Sequence, residues 1–420
     1  MSPQALLERL TDRFVLSADG MRAVSVRQKT LNNAIGWSYH SLPIEEQKLF
    51  SYLSVFSGGF TVEAAEAMFS DGKVDRPVAD LVNSLADKSL LQRSFDAYDD
   101  IRYNMLVTVQ HFAMDRLVRS GDDLSAHDAH LAYFMRFAEQ GDRDIHGPSQ
   151  AEWMDRMERE HENFRVALDW GISNQRTEAA LRLLGALGWL WEVRGHFSEA
   201  RKWFDKILSL PDIDKYPAVY ANLLNHEGRH CWAQKNYRDA HAFLEQGHAL
   251  ALKLGPAGER LLADNVNWIG LLTHFDERDD NKARDLFQQG LEIYRKWDDK
   301  RGQVLATFHL GIAESGLNHA DTALSLYKHS LSLFRQLGDL FFIARVSEFL
   351  RYIFYKRGDY EKVRMYLDQH LEIDRKLRYW EGIADALHVL GDLHHQQGNL
   401  DEAERCEQES LSIRREHGLL

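Results

Sequence analysis

The chain has 420 residues, 44% of them hydrophobic, with 7 prolines and a formal net charge of −13. That length suggests two or three domains, and scarce proline suits a chain of long helices, whose interiors proline breaks. The charge is −2 over residues 1–120 and −11 beyond them, so neither part carries the basic excess that meets a phosphate backbone. Cys231 and Cys406 stand far apart on predicted helices, which suggests reduced thiols and a cytoplasmic protein. No apolar run reaches a membrane span, and residues 1–20 carry charges where a secretion signal needs an apolar stretch, so no membrane association is expected.

After residues 1–26, the segment 27–121 reads as one small domain. Arg27 to Ser41 has helical periodicity. Pro43 opens a second helix that runs to about Val55, with Glu45 and Glu46 placed to suit the helix dipole. Gly58-Gly59 interrupts the chain, and Thr61 with Glu63 begins a third, short helix. Pro77 begins another, through Ala86. Ser89–Ser94 and Arg102–Val107 are strand candidates around Asp99-Asp100, a plausible hairpin. A helix over Val109–Val118 follows. Three helices and then a hairpin is the order of a winged helix.

Leu31-Asn-Asn-Ala-Ile-Gly-Trp-Ser-Tyr, Leu53-Ser-Val-Phe-Ser-Gly-Gly-Phe-Thr-Val-Glu-Ala-Ala and Leu81-Val-Asn-Ser-Leu-Ala-Asp-Lys-Ser-Leu-Leu carry a family resemblance. They are similar to the segment after the nucleotide-binding domain in bacterial signal-transduction ATPases of the STAND or NB-ARC type, including large transcriptional activators. Arg102-Tyr-Asn-Met-Leu-Val-Thr-Val-Gln-His-Phe-Ala resembles a further stretch of that family. Leu6-Leu-Glu-Arg-Leu-Thr-Asp-Arg-Phe resembles the tail of the helical subdomain that closes the ATPase module, so residues 1–26 read as its remnant. The resemblance implies the C-terminal half of such a regulator, with the winged helix as an interdomain switch. The sequence holds no Gly-x-x-x-x-Gly-Lys-[Ser/Thr] loop to cradle a nucleotide phosphate. Its nearest Gly-rich stretch, Gly255-Pro-Ala-Gly-Glu-Arg, reads as an inter-helix turn. Residue 1 falling inside a helical subdomain favours a truncated chain or a split gene.

Residues 122–177 read as a helical coupling pair, Ala126–Gln140 and Gln150–Ile172, separated by Gly147-Pro148. From 178 to 420 a pattern recurs about every 40 residues. Ala200, Ala240, Ala283, Ala323, Val363 and Ala403 form one column, with a single gap of 43 between the second and third. Twelve residues before them stand Gly188, Gly228, Leu271, Gly311, Arg351 and Gly391. Four residues after the small column stand Phe204, Leu244, Phe287, Tyr327 and Leu367, with Glu407 in the last unit. Small residues let two helices approach, the large residue fills the adjacent groove, and a polar residue in the last unit fits a capping repeat. Glycine ends the first helix at Gly195, Gly358 and Gly398, and Ser198 is placed to cap the helix that follows Gly195. Six such units make a helical solenoid. The columns resemble the tetratricopeptide repeat in a form of about 40 residues, with departures at Leu271 and Arg351. The expected architecture is mainly α: a small winged-helix domain followed by an α-α superhelix of about six repeats.

Candidate chemistry is sparse. His388, His394 and His395 cluster in the last unit, but helical metal pairs favour i,i+4 spacing with a carboxylate, so no metal is expected there. Asp276, Glu277, Asp279 and Asp280 lack the glycine of a calcium loop. No triad, glycosidase pair or redox constellation is supported by the spacing, so a non-enzymatic protein without cofactor is expected. In Pro77–Lys88 the single clear base, Lys88, faces Asp80 and Asp87, so DNA contact is not expected. In the repeat family's phase the first helix of each unit lines the concave face. That places Trp189, Asn222, Asn225, Arg229, Trp232, Asn265, Trp268, Phe275, Phe308, Arg345, Glu348, Tyr352 and Tyr355 inward, although some of these aromatics pack between helices. Amides, aromatics and arginine suit a peptide, protein or small inducer. Two other readings remain: a transcription factor with the winged helix on DNA, and an accessory subunit that docks a separate P-loop ATPase.

Overall fold

The structure, a computed structural model, describes residues 33–69, 76–95, 100–417 and 419. The expected remnant at 1–26, the start of the helix from Arg27, and Asp99 lie outside the described residues. The chain divides into two compact units between Tyr133 and Phe134.

In the first unit a helical stretch over 33–40 is followed by α1 (Ile44–Tyr52), α2 (Val62–Met68) and α3 (Val78–Asp87). Then come β1 (Gln92–Phe95), β2 (Ile101–Asn104) and α4 (Val107–Ser120). Pro43 and Pro77 stand just before α1 and α3, where proline's fixed φ suits a helix entry and its missing N–H costs nothing. Thr61 caps α2 by accepting from the Ala64 amide at 3.3 Å. The strands pair antiparallel, Gln92 opposite Asn104 and Phe95 opposite Ile101. They are shorter than the stretches expected, because Ser89 takes a left-handed φ of 60° and Leu106 precedes α4 rather than extending β2. Phe60 exchanges two backbone hydrogen bonds of 2.9 Å with Tyr103. Leu49, Phe50, Phe60, Leu81, Leu85 and Leu117 form the buried centre. Glu46, only 1% exposed, receives Arg76 at 3.2 Å, Ser84 at 2.9 Å and Lys88. Burial would raise its pKa, but the bonds from Lys88, Ser84 and Arg76 outweigh that and hold it below the ordinary carboxylate value.

Helix α5 (Asp123–Asp144) begins in the first unit and ends in the second. The second expected coupling helix is two helices, α6 (Gln150–Arg159) and α7 (His161–Ser173). Glu160 breaks them at φ −92°, ψ 8°, its amide bonding back to Met157 in a tight turn. Six helix pairs follow: α8 (Thr177–Arg194) with α9 (Phe197–Leu208), α10 (Pro217–Ala233) with α11 (Tyr237–Lys253), and α12 (Glu259–Leu272) with α13 (Asp280–Lys296). The remaining pairs are α14 (Lys300–Gly316) with α15 (Ala320–Leu337), α16 (Leu340–Lys356) with α17 (Tyr360–Leu377), and α18 (Trp380–Gln396) with α19 (Leu400–Glu416). This is a tetratricopeptide-like α-solenoid.

The repeat columns have a direct structural meaning. All six small residues from Ala200 to Ala403 are buried, and Phe204, Leu244, Phe287, Tyr327 and Leu367 are at most 1% exposed. A Cβ added at Gly228 would lie 2.6 Å from Leu244, and one at Gly311 would lie 2.6 Å from Tyr327. The glycine thus receives the large side chain of its partner helix. Each pair turns through a residue with positive φ: Gly195, Lys235, Arg278, Asn318, Gly358 and Gly398. The next amide reaches back to a last-turn carbonyl, as in His196 to Trp191 at 2.9 Å and Asn399 to His394 at 2.9 Å, the closure expected of a left-handed helix cap.

Two local expectations are corrected. Ser198 lies inside α9 rather than capping it; His196 holds the cap position and makes no capping bond there, its imidazole being engaged elsewhere. The glycine position of the third unit is Gly270, not Leu271. A π turn over Thr273–Glu277 adds one residue before Ala283, so the glycine that meets Phe287, with a Cβ distance of 2.5 Å, sits one place earlier. The other two extra residues of the long repeat lie near the 3-10 turn Gly255–Gly258, between Ala240 and Gly270. In the last unit Glu407 is half exposed and accepts from His388 Nδ1 at 2.8 Å.

Candidate functional site

The first helices of successive pairs line a groove of about 650 Å³ in the second unit. Its wall includes Trp232 on α10, Trp268 on α12, Phe275 in the π turn, Phe308 on α14, and Arg345, Glu348 and Tyr352 on α16. Trp232 makes edge contacts with Trp268 at 5.5 Å and with Phe275 at 5.8 Å. Phe308 meets Phe349 at 5.3 Å. Edge-to-face contact is a favoured geometry for such aromatic pairs. Arg345 donates to the fully buried Asp374 at 2.6 Å and to His370 at 2.7 Å, and reaches Glu348 at 3.3 Å. Burial lowers its pKa, yet Asp374 and Glu348 more than restore it, so the guanidinium stays charged. Trp232 Nε1, Arg345 Nε and Arg351 Nε are buried donors for which no acceptor is found among the described residues.

The other expected residues lie elsewhere. Trp189 is 2% exposed, packed against Phe341 at 4.9 Å and Phe342 at 5.9 Å. Arg229 is clamped between Trp189 and Trp268, 4.7 Å from each ring, and donates to Glu192 at 2.6 Å. Cation–π contact on both faces makes it a support for the groove rather than part of its wall. Asn225 and Asn265 are buried between helices: Asn265 donates to Asn225 at 2.8 Å and to the Leu244 carbonyl at 2.7 Å. Their amides satisfy inter-repeat backbone, which explains polar residues at this depth. Asn222 lies beside Gly185 of α8, its Nδ2 at 3.5 Å from a Cβ built there. Tyr355 is exposed and accepts from Gln396 at 3.3 Å, outside the groove. Sequence reasoning missed Phe341, Phe342, Phe349, Arg351 and Tyr379, which also line it. The apolar run Leu340–Ile343 reads as core, and Arg351 reads as a departure from the glycine column, so neither signalled a surface.

The turn between α5 and α6 meets the same region. Gln150 is fully buried. Its Oε1 accepts from the Phe341 amide at 2.8 Å, and its Nε2 donates to the Ile145 carbonyl at 2.7 Å and to Asp339 at 3.3 Å. His146 packs edge-on against Trp189 at 5.1 Å. Asp142, just before this turn, is pushed up to about 6 by burial, against the opposing pull of Arg229 and Arg301. Arg194, 7% exposed, joins Asp155 of α6 to the Leu377 carbonyl at the end of α17, the latter at 2.9 Å. The coupling segment therefore touches the groove's own framework.

A second polar cluster lies where α6, α7 and the α8–α9 turn converge. His196 Nε2 is 3.0 Å from Glu158 Oε1, and His161 lies 3.7 Å from Glu158 and 3.2 Å from Glu199. Burial lowers the His161 pKa, but the bonds to Glu158 and Glu199 lift it to about 9. Of the sequence-predicted histidines, His388 approaches Asp392 and Glu407 on the exposed surface. No helix among the described residues is long and apolar enough to cross a membrane.

Residues 352–416 match the tetratricopeptide-repeat family. Over 209 residues the chain is 34% identical to a Mycobacterium tuberculosis protein that carries the name HTH-type transcriptional regulator Rv0890c, covering 50% of this chain and 23% of that protein. It is 29% identical over 154 residues to a second protein of that organism, Rv0894, covering 36% of this chain and 37% of the other. The matches thus span well under two thirds of these curated relatives. Among solved structures, a STAND protein with a tetratricopeptide repeat sensor from Pyrococcus horikoshii aligns with TM-score 0.51 and 17% identity, over 91% of this chain and 59% of that one. A Rap protein complexed with Competence and Sporulation Factor aligns with TM-score 0.51 and 16% identity, over 69% of this chain and 77% of that one. At such identities the likeness is one of fold.

Proposed function

We propose that this chain is a non-enzymatic sensor module of a cytoplasmic signalling or transcription regulator. It binds a peptide, protein or small inducer in the solenoid groove and relays occupancy through the coupling helices to the helix–hairpin unit, which acts as a winged-helix switch arm. The observation that carries this reading is the groove itself, where Trp232, Trp268, Phe308 and Tyr352 stand beside Arg345 and Arg351. Aromatics and arginine are the side chains that concentrate binding energy. The solved fold relatives support it: one carries a repeat sensor on a STAND protein, and another was solved with Competence and Sporulation Factor.

The relay is a population shift. A ligand must bind one arrangement of groove and coupling segment better than the other. Gln150 gives a physical handle, because it holds the amide of Phe341, whose ring lines the groove. The partner that reads the switch is a P-loop ATPase domain, on the same chain or a separate one. Direct DNA reading by residues 77–88 is not part of this proposal, since their one base, Lys88, is committed to Glu46.

The test is a screen of peptide and metabolite libraries by Trp fluorescence and thermal shift. For any hit, Tyr352→Ala and Arg351→Ala should each weaken binding at least about tenfold while leaving the circular dichroism spectrum intact. A hit that both variants bind with unchanged affinity places the binding surface outside this groove and overturns the proposal.

A further inference from the structure

The Glu158–His161–His196 corner has the geometry of a metal site, on different residues from the groove and independent of its reading. Glu158 ends α6, His161 opens α7, and His196 sits at the turn into α9. One ligand atom from each lies within 4.8 Å of the others. Glu158 Oε1 is 3.0 Å from His196 Nε2 and 3.7 Å from His161 Nδ1. A tetrahedral centre with bonds of about 2.0–2.1 Å places its ligand atoms about 3.4 Å apart, between those two values.

Glu199 makes a second, independent observation. His161 Nδ1 lies 3.7 Å from Glu158, and its Nε2 lies 3.2 Å from Glu199. That carboxylate is itself fixed, by Arg165 Nε at 2.7 Å and Trp203 Nε1 at 3.1 Å. An anchored carboxylate near the second ring nitrogen of a histidine is the partner that a metal-bound imidazole uses in its outer shell, although the His161 ring makes no hydrogen bond to it as it stands. The sequence carries it as mirrored spacings, Glu158-x-x-His161 and His196-x-x-Glu199. Glu158 and His196 also border a cavity of about 340 Å³, which leaves a fourth position open.

We propose that Glu158, His161 and His196 bind one divalent transition ion of the zinc class, with Glu199 as a positioning residue and the fourth coordination place facing the cavity. Two imidazoles and one carboxylate suit zinc better than calcium or magnesium, which demand oxygen ligands. The ion cross-links the α6–α7 corner to the first repeat, and so stiffens the coupling segment where it enters the solenoid.

The experiment uses the untagged full chain, stripped with chelator and titrated with Zn²⁺ by calorimetry, with Co²⁺ absorption as a reporter of coordination geometry. One Zn²⁺ per chain should bind more tightly than about 10 μM. Glu158→Gln and His196→Gln should each weaken it at least about tenfold, and Glu199→Gln about 10- to 100-fold without changing stoichiometry. His388→Gln, at the exposed cluster, should leave it unchanged. Absence of Zn²⁺ binding by the folded wild type overturns the proposal, as does full-affinity binding by the Glu158→Gln, His196→Gln double variant. Either result would make the corner an ion-pair network only.

Discussion

Gly270→Ala tests whether the π turn shifts the repeat by one residue. A Cβ there would sit 2.5 Å from Phe287 Cε1 and 2.8 Å from Cδ1, against a normal carbon contact of about 3.5–4.0 Å. Phe287 is fully buried and packed on His309 at 5.2 Å, so its ring has little room to retreat. Overpacking of this kind costs about 1–3 kcal/mol. Replacing a helical glycine by alanine returns about 0.5–1 kcal/mol, leaving a net loss of up to about 2.5 kcal/mol. Gly185→Ala is the control. It is also helical, but its new Cβ meets only Asn222 Nδ2 at 3.5 Å, an ordinary contact, so it should gain about 0.5–1 kcal/mol. Urea unfolding followed by circular dichroism reads the difference as opposite shifts in midpoint at similar slope. If the two variants moved together, Gly270 would not be the glycine that receives the partner side chain, and the reasoning on phase would fail.

Two further predictions concern buried charge. Asp142, with a folded pKa of about 6, lies above its unfolded value of about 3.9, so its stabilising contribution is fully present below about pH 4 and lost as pH rises through about 6. Asp142→Asn should therefore match wild type near pH 4 and exceed it by up to about 2 kcal/mol at pH 7.5, a figure discounted for partial solvent access. A less stable variant at pH 7.5 in thermal melts would mean that the ionised carboxylate serves Arg229 and Arg301. Glu46 has a depressed pKa, so its contribution is present above the unfolded value of about 4.3 and lost as pH falls through the folded one. Glu46→Gln should cost about 1–2 kcal/mol at neutral pH, because Arg76 and Lys88 are partly exposed and can return to water. Hydrogen exchange over residues 44–88 of the full chain should quicken; unchanged protection there would show that the network adds no stability.

The solenoid was legible because its constraint is periodic. Ala200 to Ala403 must be small, and the residue four places on must be large, because each pair of helices closes at one point. That requirement prints itself into the sequence at a fixed interval. The third unit escaped because a π turn adds a residue without any composition signal, leaving Leu271 where the count placed a glycine. Ser198 looked like a cap because capping residues are recognised by type, whereas His196 holds the cap position while engaging Glu158.

The groove was half legible. Trp232, Trp268 and Tyr352 face it as their helix phase implied, but Asn225 and Asn265 satisfy backbone between repeats, and one-dimensional phase cannot separate an inter-repeat seam from an open wall. Superhelical curvature decides that difference, and curvature belongs to the whole stack. By itself the sequence determined the repeat, its length and the small and large residues that close each helix pair, all of which recur at a fixed interval. Only the tertiary structure brought Gln150 to Phe341 across 191 residues and Glu158 to His196 across 38, because such meetings depend on how the stacked helices wind, and no local preference encodes them.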